Sequence, residues 1–356
     1  MSDEVKLRES ISQLPGYKAG GKAQPVAGLA PYKLSSNENP LNPLPSVVAV
    51  IAEAAASINR YPDPLASELT EKLADKLSVP AGAIALGTGS VGVCQQIVQA
   101  LCDAGDEVIY AWHSFEAYPI ITSIAGAISV RVALTPTGEH DLAAMAAAIT
   151  ERTRVIFICT PNNPTGTIVH QRDLDSFMTK VPKNVLLVID EAYIEFNRDA
   201  EAIDGLAALN RYSNVGILRT FSKAYGLAGL RVGYFVGPAA VAEAVKKTAV
   251  PFGVSSLAQA AAISSLDQEV ELLDRVESLV QLRNWFESEL TKLGFQLLPS
   301  QANFVWLALG RRTDEFFQAC NEVAVAVRPF TGEGVRISIG EREALERLLP
   351  VCAKFL

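Results

Sequence analysis

Asp190 follows directly on the short apolar run Val185–Ile189, and Lys223 lies shortly after another, Val215–Leu218. An amine just past a strand end, between apolar flanks, loses its proton easily enough to form an imine. A carboxylate at the tip of a buried strand is costly to desolvate unless a cation meets it, and a protonated pyridine nitrogen is such a cation. Position alone leaves Asp190 equally able to cap a following helix. Around Lys223, the segment Thr220-Phe-Ser-Lys-Ala-Tyr-Gly-Leu-Ala-Gly-Leu-Arg231 adds two hydroxyls, Thr220 and Ser222, and the Arg231 guanidinium, all suited to phosphate oxygens.

Two further segments supply complementary groups. Gly87-Thr-Gly-Ser90 lies between a strand pattern and a helix pattern, where free N–H groups and the positive end of the helix dipole can cradle a phosphate. With Gly92 it also spells G-x-G-x-x-G, the dinucleotide fingerprint. That reading needs an acid closing the next strand, but Glu107 opens it and Tyr110-Ala-Trp112 closes it. Pro161-Asn-Asn-Pro-Thr-Gly166 reads on its own as a turn, although an Asn amide at a strand end can donate to a ring oxygen. Asp190-Glu-Ala-Tyr193 adds a phenol. Together these are a phosphate cradle, an acid for a ring nitrogen, an amide and a phenol for a ring hydroxyl, and an imine-forming amine. Pyridoxal 5'-phosphate (PLP) is the common cofactor that needs this set.

The elements that must position these groups follow from periodicity. Short apolar runs at Ala83–Leu86, Glu107–Ala111, Ser129–Leu134, Arg154–Cys159, Val185–Ile189, Val215–Leu218 and Val232–Val236 alternate with helical patterns such as Ser90–Cys102. Runs apolar throughout suit strands covered on both faces, so the fold class expected is α/β, a mostly parallel sheet covered by helices. After residue 255 come long amphipathic helices, then strand-like Asn303–Leu307, Val323–Val327 and Val335–Ile339, a smaller α+β domain. The boundaries read as an N-terminal arm at 1–36 packing with the small domain, a large domain at 37–255 and a small domain at 256–356. Residues 1 to about 45, rich in Pro, Gly and polar clusters, read as an extended arm in which no core begins.

Length, charge and cysteine usage narrow the function classes. With 356 residues and 49 % hydrophobic content, one large domain plus a smaller one is expected. A net charge of −8 argues against a nucleic-acid or anionic-membrane binder, so an anionic ligand must meet a local basic pocket. The five cysteines form no C-x-x-C pair, which is reduced, intracellular usage. No apolar run reaches membrane-spanning length and the first residues lack a leader pattern, so the expected location is the cytoplasm. His113, His140 and His170 have no metal spacing and read as solvated or structural, and no metal is expected.

In order and combination, the motifs resemble those of the fold-type I PLP aminotransferases, in the branch similar to histidinol-phosphate aminotransferases. The match runs from about residue 31 onward, through Ser-Asn-Glu-Asn-Pro (36–40), Arg60-Tyr-Pro-Asp63, Asn-Asn-Pro-Thr-Gly (162–166), Asp190-Glu-Ala-Tyr193, Ser222-Lys-Ala-Tyr-Gly-Leu-Ala-Gly-Leu-Arg-Val-Gly233 and Val335-Arg-Ile-Ser-Ile-Gly340. The resemblance implies that Lys223 holds PLP as an imine and then carries the substrate Cα proton, while Asp190 keeps the ring nitrogen protonated. It implies that Asn163 and Tyr193 bind the ring hydroxyl, that Gly89, Ser90, Thr220, Ser222 and Arg231 bind the phosphate, and that Phe115 stacks on the ring. Arg336 matches the arginine that grips the substrate carboxylate, and Arg328 and Tyr17 look like further anion-side contacts. Tyr61 is similar to a tyrosine that reaches the neighbouring subunit's cofactor, so the resemblance also implies a homodimer with shared sites.

The partners expected are therefore an amino acid and a 2-oxo acid. Histidinol-phosphate and aromatic amino acid enzymes share nearly all of these motifs, but two departures favour aromatic substrates such as phenylalanine and tyrosine. The glycine-serine turn continues Val91-Gly-Val-Cys-Gln-Gln96 rather than with an acidic pair, and the loop before Arg336 is the short Pro329-Phe-Thr-Gly-Glu-Gly334. A non-catalytic PLP-binding regulator is the alternative of another class. Neither the short arm nor the acidic charge accommodates the DNA-binding domain such a regulator needs.

Overall fold

The strands of the computed structural model, which describes residues 5, 7–12, 14 and 16–356, are β1 Tyr32–Lys33, β2 Ile84–Gly87, β3 Glu107–Trp112, β4 Ile128–Ala133, β5 Thr153–Cys159, β6 Leu186–Asp190, β7 Val215–Thr220, β8 Gly233–Val236, β9 Phe304–Leu307, β10 Val325–Ala326, β11 Arg328–Phe330 and β12 Gly334–Ser338. Seven of them form one sheet in the order β2-β8-β7-β6-β5-β3-β4. All run parallel except β8, which is antiparallel to both of its neighbours.

Why these runs make a buried sheet shows in how alternate residues sort. Successive side chains of a strand point to opposite faces. On β3, β5 and β6, Ile109, Ala111, Ile156, Ile158, Leu187 and Ile189 enter one apolar cluster. Their chain neighbours Val108, Tyr110, Val155, Phe157, Leu186 and Val188 enter another on the opposite face. Both faces are thus apolar, as a sheet covered by helices on both sides requires. The register Cys159↔Asp190↔Leu218 brings the carboxyl ends of β5, β6 and β7 to one edge.

Beyond this sheet, β11-β12-β9 form a three-stranded antiparallel sheet accompanied by the helices Glu269–Leu293, Thr313–Glu322 and Arg342–Cys352. Helix Ser256–Asp267 packs on helix Pro45–Ala55. The N-terminal stretch departs from the sequence reading. β1 pairs in parallel with β10, and Leu34, Ser35, Asn37 and Leu44 are all buried, so core begins before residue 45. A polar run can be buried when its backbone is paired: the Leu34 N–H donates to Ala326 O at 2.7 Å, and the Ser338 N–H donates to Leu34 O at 2.9 Å.

Among the described residues, no helix is long and apolar enough to cross a membrane, and no group of three or more His, Cys, Asp or Glu residues could hold a metal ion. His140 is buried beside Asn162 Oδ1, 3.2 Å from its Nε2, and burial pushes its pKa down to about 4. It is structural and not solvated.

One glycine in the sheet is set by packing alone. A Cβ on Gly216 in β7 would lie 2.2 Å from Phe235 Cε2, and Phe235 is fully buried in β8. Gly216→Ala is expected to lower stability by roughly 1–3 kcal/mol through overpacking. A urea midpoint equal to that of the parent chain would refute this account of the β7–β8 contact.

Candidate active site

The chain folds so that the parallel strands of the large sheet deliver their following loops to one place, as open α/β sheets do. A cavity of about 550 Å³ lies there. Lys223, Asp190, Tyr193, Asn163, Thr220, Ser222, Arg231, Ser90 and Phe115 line it, together with Arg328, Arg336 and Tyr17. Gly89 adjoins it through Ser90. Tyr61 does not line it: the residue is 82 % exposed, and its ring stacks on Phe252 with centroids 4.5 Å apart.

Asp190 closes β6 and is 2 % exposed. Burial pushes its pKa up to about 6, although the Tyr118 hydroxyl donates to its Oδ2 at 2.7 Å and the Ala192 N–H donates to its Oδ1 at 3.2 Å. The remaining need of this carboxylate is a cation. Tyr118 is itself held by a stacked Phe157 at 4.6 Å.

Lys223 follows β7 and donates from Nζ to Ser36 O at 3.2 Å. Burial, and next the Arg336 guanidinium, bring its pKa down to about 7. The amine is therefore available in its neutral, nucleophilic form near neutral pH.

The cradle at Gly89 is built by close approach. Gly89 has φ +77° and begins the helix Gly89–Leu101. A Cβ there would sit 2.5 Å from Arg231 Nη2, so only glycine lets the guanidinium lie against the helix start. Arg231 Nη1 also reaches Ser222 Oγ at 3.5 Å, and the Ser222 N–H donates to Thr220 Oγ1 at 3.1 Å. Helix N–H groups, two hydroxyls and a guanidinium thus converge on a space fit for a phosphate dianion.

Arg336, on β12, is buried. It donates to Asn163 Oδ1 and, at 2.9 Å, to Ser35 O, while its Nε–H has no acceptor. A buried guanidinium with an unused donor is costly unless a further acceptor arrives. Directly opposite across the strand pair stands Arg328, bound through Nη2 to both carboxylate oxygens of Glu116 at 2.8 Å.

Sequence reasoning assigned no role to Asn37, Tyr118 or Glu116. Asn37 has φ +52°, a conformation Asn tolerates, and its Nδ2 donates to the Tyr193 hydroxyl at 3.0 Å. Its Oδ1 accepts from Ser338 Oγ at 2.9 Å, so it ties the N-terminal stretch to β12 and to Tyr193. The polar run at 36–40 marked the place, but nothing local marks a partner 156 residues away.

The lowered basicity of Lys223 has a direct consequence in the chain stripped of small molecules. Competitive acylation followed by peptide mass spectrometry is expected to show Lys223 reacting with a midpoint near pH 7, protonated and inert below it and reactive above it. A midpoint within about one unit of the ordinary lysine value of roughly 10.4 would refute the buried-amine account.

The comparisons with known proteins agree with this geometry. The family model for aminotransferase class I and II matches residues 31–351. An aromatic amino acid aminotransferase of Streptomyces avermitilis is 55 % identical over 350 residues, covering 98 % of this chain and 97 % of its own length. An enzyme of the same name from Streptomyces coelicolor is 56 % identical with the same coverage. Among solved structures, histidinol-phosphate aminotransferase from Sinorhizobium meliloti in complex with pyridoxal-5'-phosphate superposes with a TM-score of 0.87 at 27 % identity, over 99 % of this chain and 98 % of that one. With a family match over nearly its whole length and half-identical relatives of equal extent, the chain belongs to the class I and II aminotransferases of PLP fold type I.

Proposed function

We propose that this PLP-dependent aminotransferase moves the amino group between aromatic amino acids, phenylalanine and tyrosine, and 2-oxo acids. The observation that carries this reading is the cavity itself. It places the neutral Lys223 amine, the Asp190 carboxylate and the incompletely satisfied Arg336 in one space, and lines the same space with Ile120, Ile121 and Ile124 from the helix Ala117–Ala125.

The residues fit PLP by their donor set and by the Gly89 cradle that a Cβ would fill. Bound there, PLP supplies an electron sink for negative charge at the substrate Cα. The chain does the rest. Ser90, Thr220, Ser222 and Arg231 hold the phosphate. The Asp190 carboxylate, kept in place by Tyr118, holds the proton on the ring nitrogen. Tyr193 accepts from Asn37 and so keeps its own O–H free for the ring oxygen, as Asn163 keeps its amide N–H groups. Phe115 stacks on the ring. Lys223 Nζ takes the proton from the substrate Cα and returns it during the transfer. Arg336 receives the substrate carboxylate through its unused Nε–H and its Nη groups, and Tyr17, exposed where it lines the cavity, is a further contact on the anion side.

Aromatic substrates are favoured over histidinol phosphate by the apolar wall and by the short hairpin before Arg336. β11 ends at Phe330, β12 starts at Gly334, and the Glu333 N–H closes the turn on Phe330 O at 2.9 Å. So tight a turn offers little backbone to enclose a tetrahedral phosphate. Half-identical relatives bearing the aromatic name support the same choice. Phenylpyruvate is expected to be aminated with a kcat/KM at least roughly tenfold above that of imidazole acetol phosphate, since the apolar wall leaves the imidazole nitrogens without hydrogen-bond partners and the tight turn leaves the phosphate unenclosed. The reverse preference in side-by-side steady-state assays would overturn the aromatic assignment.

The protein is proposed to act as a cytoplasmic homodimer, in keeping with five free, buried cysteines. Tyr61 is exposed beside Phe252, with Leu65, Val250 and Ile58 also exposed, an apolar set that a second copy would cover. Tyr61 would then complete the partner's phosphate site. Mixing inactive Lys223→Ala and severely impaired Tyr61→Ala proteins is expected to restore part of the activity, because one heterodimer site is undamaged. No recovery despite proven subunit exchange would assign Tyr61 to its own chain.

A further inference from the structure

The loop between β3 and the helix Ala117–Ala125 carries Phe115 into the cavity, and its neighbours anchor it. Ser114 Oγ donates to Asn162 Oδ1 at 2.8 Å, and Asn162 Nδ2 donates back to His113 O at 3.2 Å. His113 is not among the residues that line the cavity. Its ring sits between Trp112 and Phe330, with centroids 4.4 and 5.7 Å away, and its Nδ1–H donates to Glu333 Oε2 at 2.5 Å. One side chain of the large sheet's loop thus meets the β11–β12 hairpin of the smaller sheet twice, through a ring and through a carboxylate.

The hairpin end that His113 meets has little else across the gap to hold it. Thr331, Gly332 and Glu333 are exposed. Their other ties stay within the smaller sheet's own surroundings: Thr331 Oγ1 donates to Asp314 Oδ1 at 3.0 Å, and the Gly310 N–H donates to Glu333 O at 2.9 Å. Arg336 follows three residues after Glu333, on β12, and its guanidinium stands 6.0 Å from the centre of the Phe330 ring. A movement of this turn away from His113 therefore carries both Phe330 and Arg336 with it. A guanidinium that must meet a planar carboxylate through two donors tolerates little misplacement.

We propose that His113 is a positioning residue: its bond to Glu333 holds the β11–β12 turn against the loop after β3 and so sets where the Arg336 guanidinium lies relative to Phe115. This rests on the reading of Arg336 as the receiver of the substrate carboxylate. His113 and Glu333 touch neither substrate nor cofactor and act through the hairpin and the loop. The side chains of the pair are 20 % and 48 % exposed, so the effect expected of it is modest and lies in substrate affinity.

The test uses the PLP-loaded enzyme as wild type, His113→Phe, which keeps a ring for Trp112 and Phe330 but no donor, His113→Asn, which keeps a donor near the Nδ1 position but no ring, Glu333→Ala, and the double variant H113F/E333A. Calorimetry gives the dissociation constant of 3-phenylpropanoate, a carboxylate with a phenyl ring. H113F and E333A are each expected to weaken it at least about threefold, the scale of one partly exposed charged contact. H113F/E333A is expected to be no weaker than the poorer single variant by more than about twofold, since one contact is lost once. H113N is expected to stay within about twofold of wild type. Amide exchange of the segment 328–336, followed by mass spectrometry, is expected to quicken in H113F and E333A and not in H113N. Unchanged affinity in E333A, the exposed member that folds most safely, overturns the proposal even if the melting temperature falls, because stability alone was then affected. Additive losses in the double variant overturn it, as does an H113N as weak as H113F, which assigns His113 a packing role. Failure of the underlying reading is distinguishable: wild type would then not bind 3-phenylpropanoate, while amide exchange of the hairpin still decides whether the His113–Glu333 bond holds it.

Discussion

The arrangement of this molecule turns on a carboxylate without water. Asp190 sits at the end of a strand apolar on both faces, where an ionised acid is unfavourable unless donors and a cation surround it. The protein provides the Tyr118 hydroxyl and the Ala192 N–H, and these do not suffice, since burial still holds the pKa near 6. A carboxylate in that condition binds a protonated ring nitrogen more strongly than a solvated one could. Around it, β5 must end where Asn163 can follow and β7 where Lys223 can follow, and the parallel register aligns those ends.

Lys223 and Arg336 obey the same constraint with the opposite sign. Both are cations drawn from water: burial lowers the proton affinity of each, the Arg336 guanidinium lowers that of Lys223 further, and Arg328 lowers that of Arg336. For a lysine the result is a usable nucleophile near neutral pH. An arginine stays charged, so burial is expressed as an unsatisfied Nε–H that a substrate carboxylate can meet. Residue type thus decides whether the same environment yields a neutral amine or a charged guanidinium with an unused donor. Arg328, in the same pocket, shows the third outcome, a cation already satisfied from within by Glu116.

The N-terminal stretch joins these charges into one unit. Ser36 O accepts from Lys223, Ser35 O accepts from Arg336, and Asn37 joins Tyr193 to Ser338. A segment that looks like linker in composition therefore lies against the Lys223 amine and the Arg336 guanidinium at once. Its pairing with β10 and with the Ser338 N–H supplies the backbone partners that let polar residues lie buried there.

Local patterns in the sequence determined the seven strands of the sheet to within a residue or two, because central strands apolar on both faces are written as short apolar runs and the edge strand β4 as an alternating one. They also determined that an amine, an acid and a glycine-rich turn each follow such a run, and a parallel sheet then places them at a common edge. The burial of Asn37, the support of Asp190 by Tyr118 and the occupation of Arg328 by Glu116 were decided only by the tertiary structure. Each links residues from 72 to 212 positions apart. No periodicity or spacing encodes such a pair, since its partners meet only after the sheet, the hairpin and the N-terminal stretch have packed. Charge was legible only in part: the apolar flanks of Lys223 already mark a weakened base, while the enclosure and the Arg336 guanidinium that bring its pKa down to about 7 come from the finished fold.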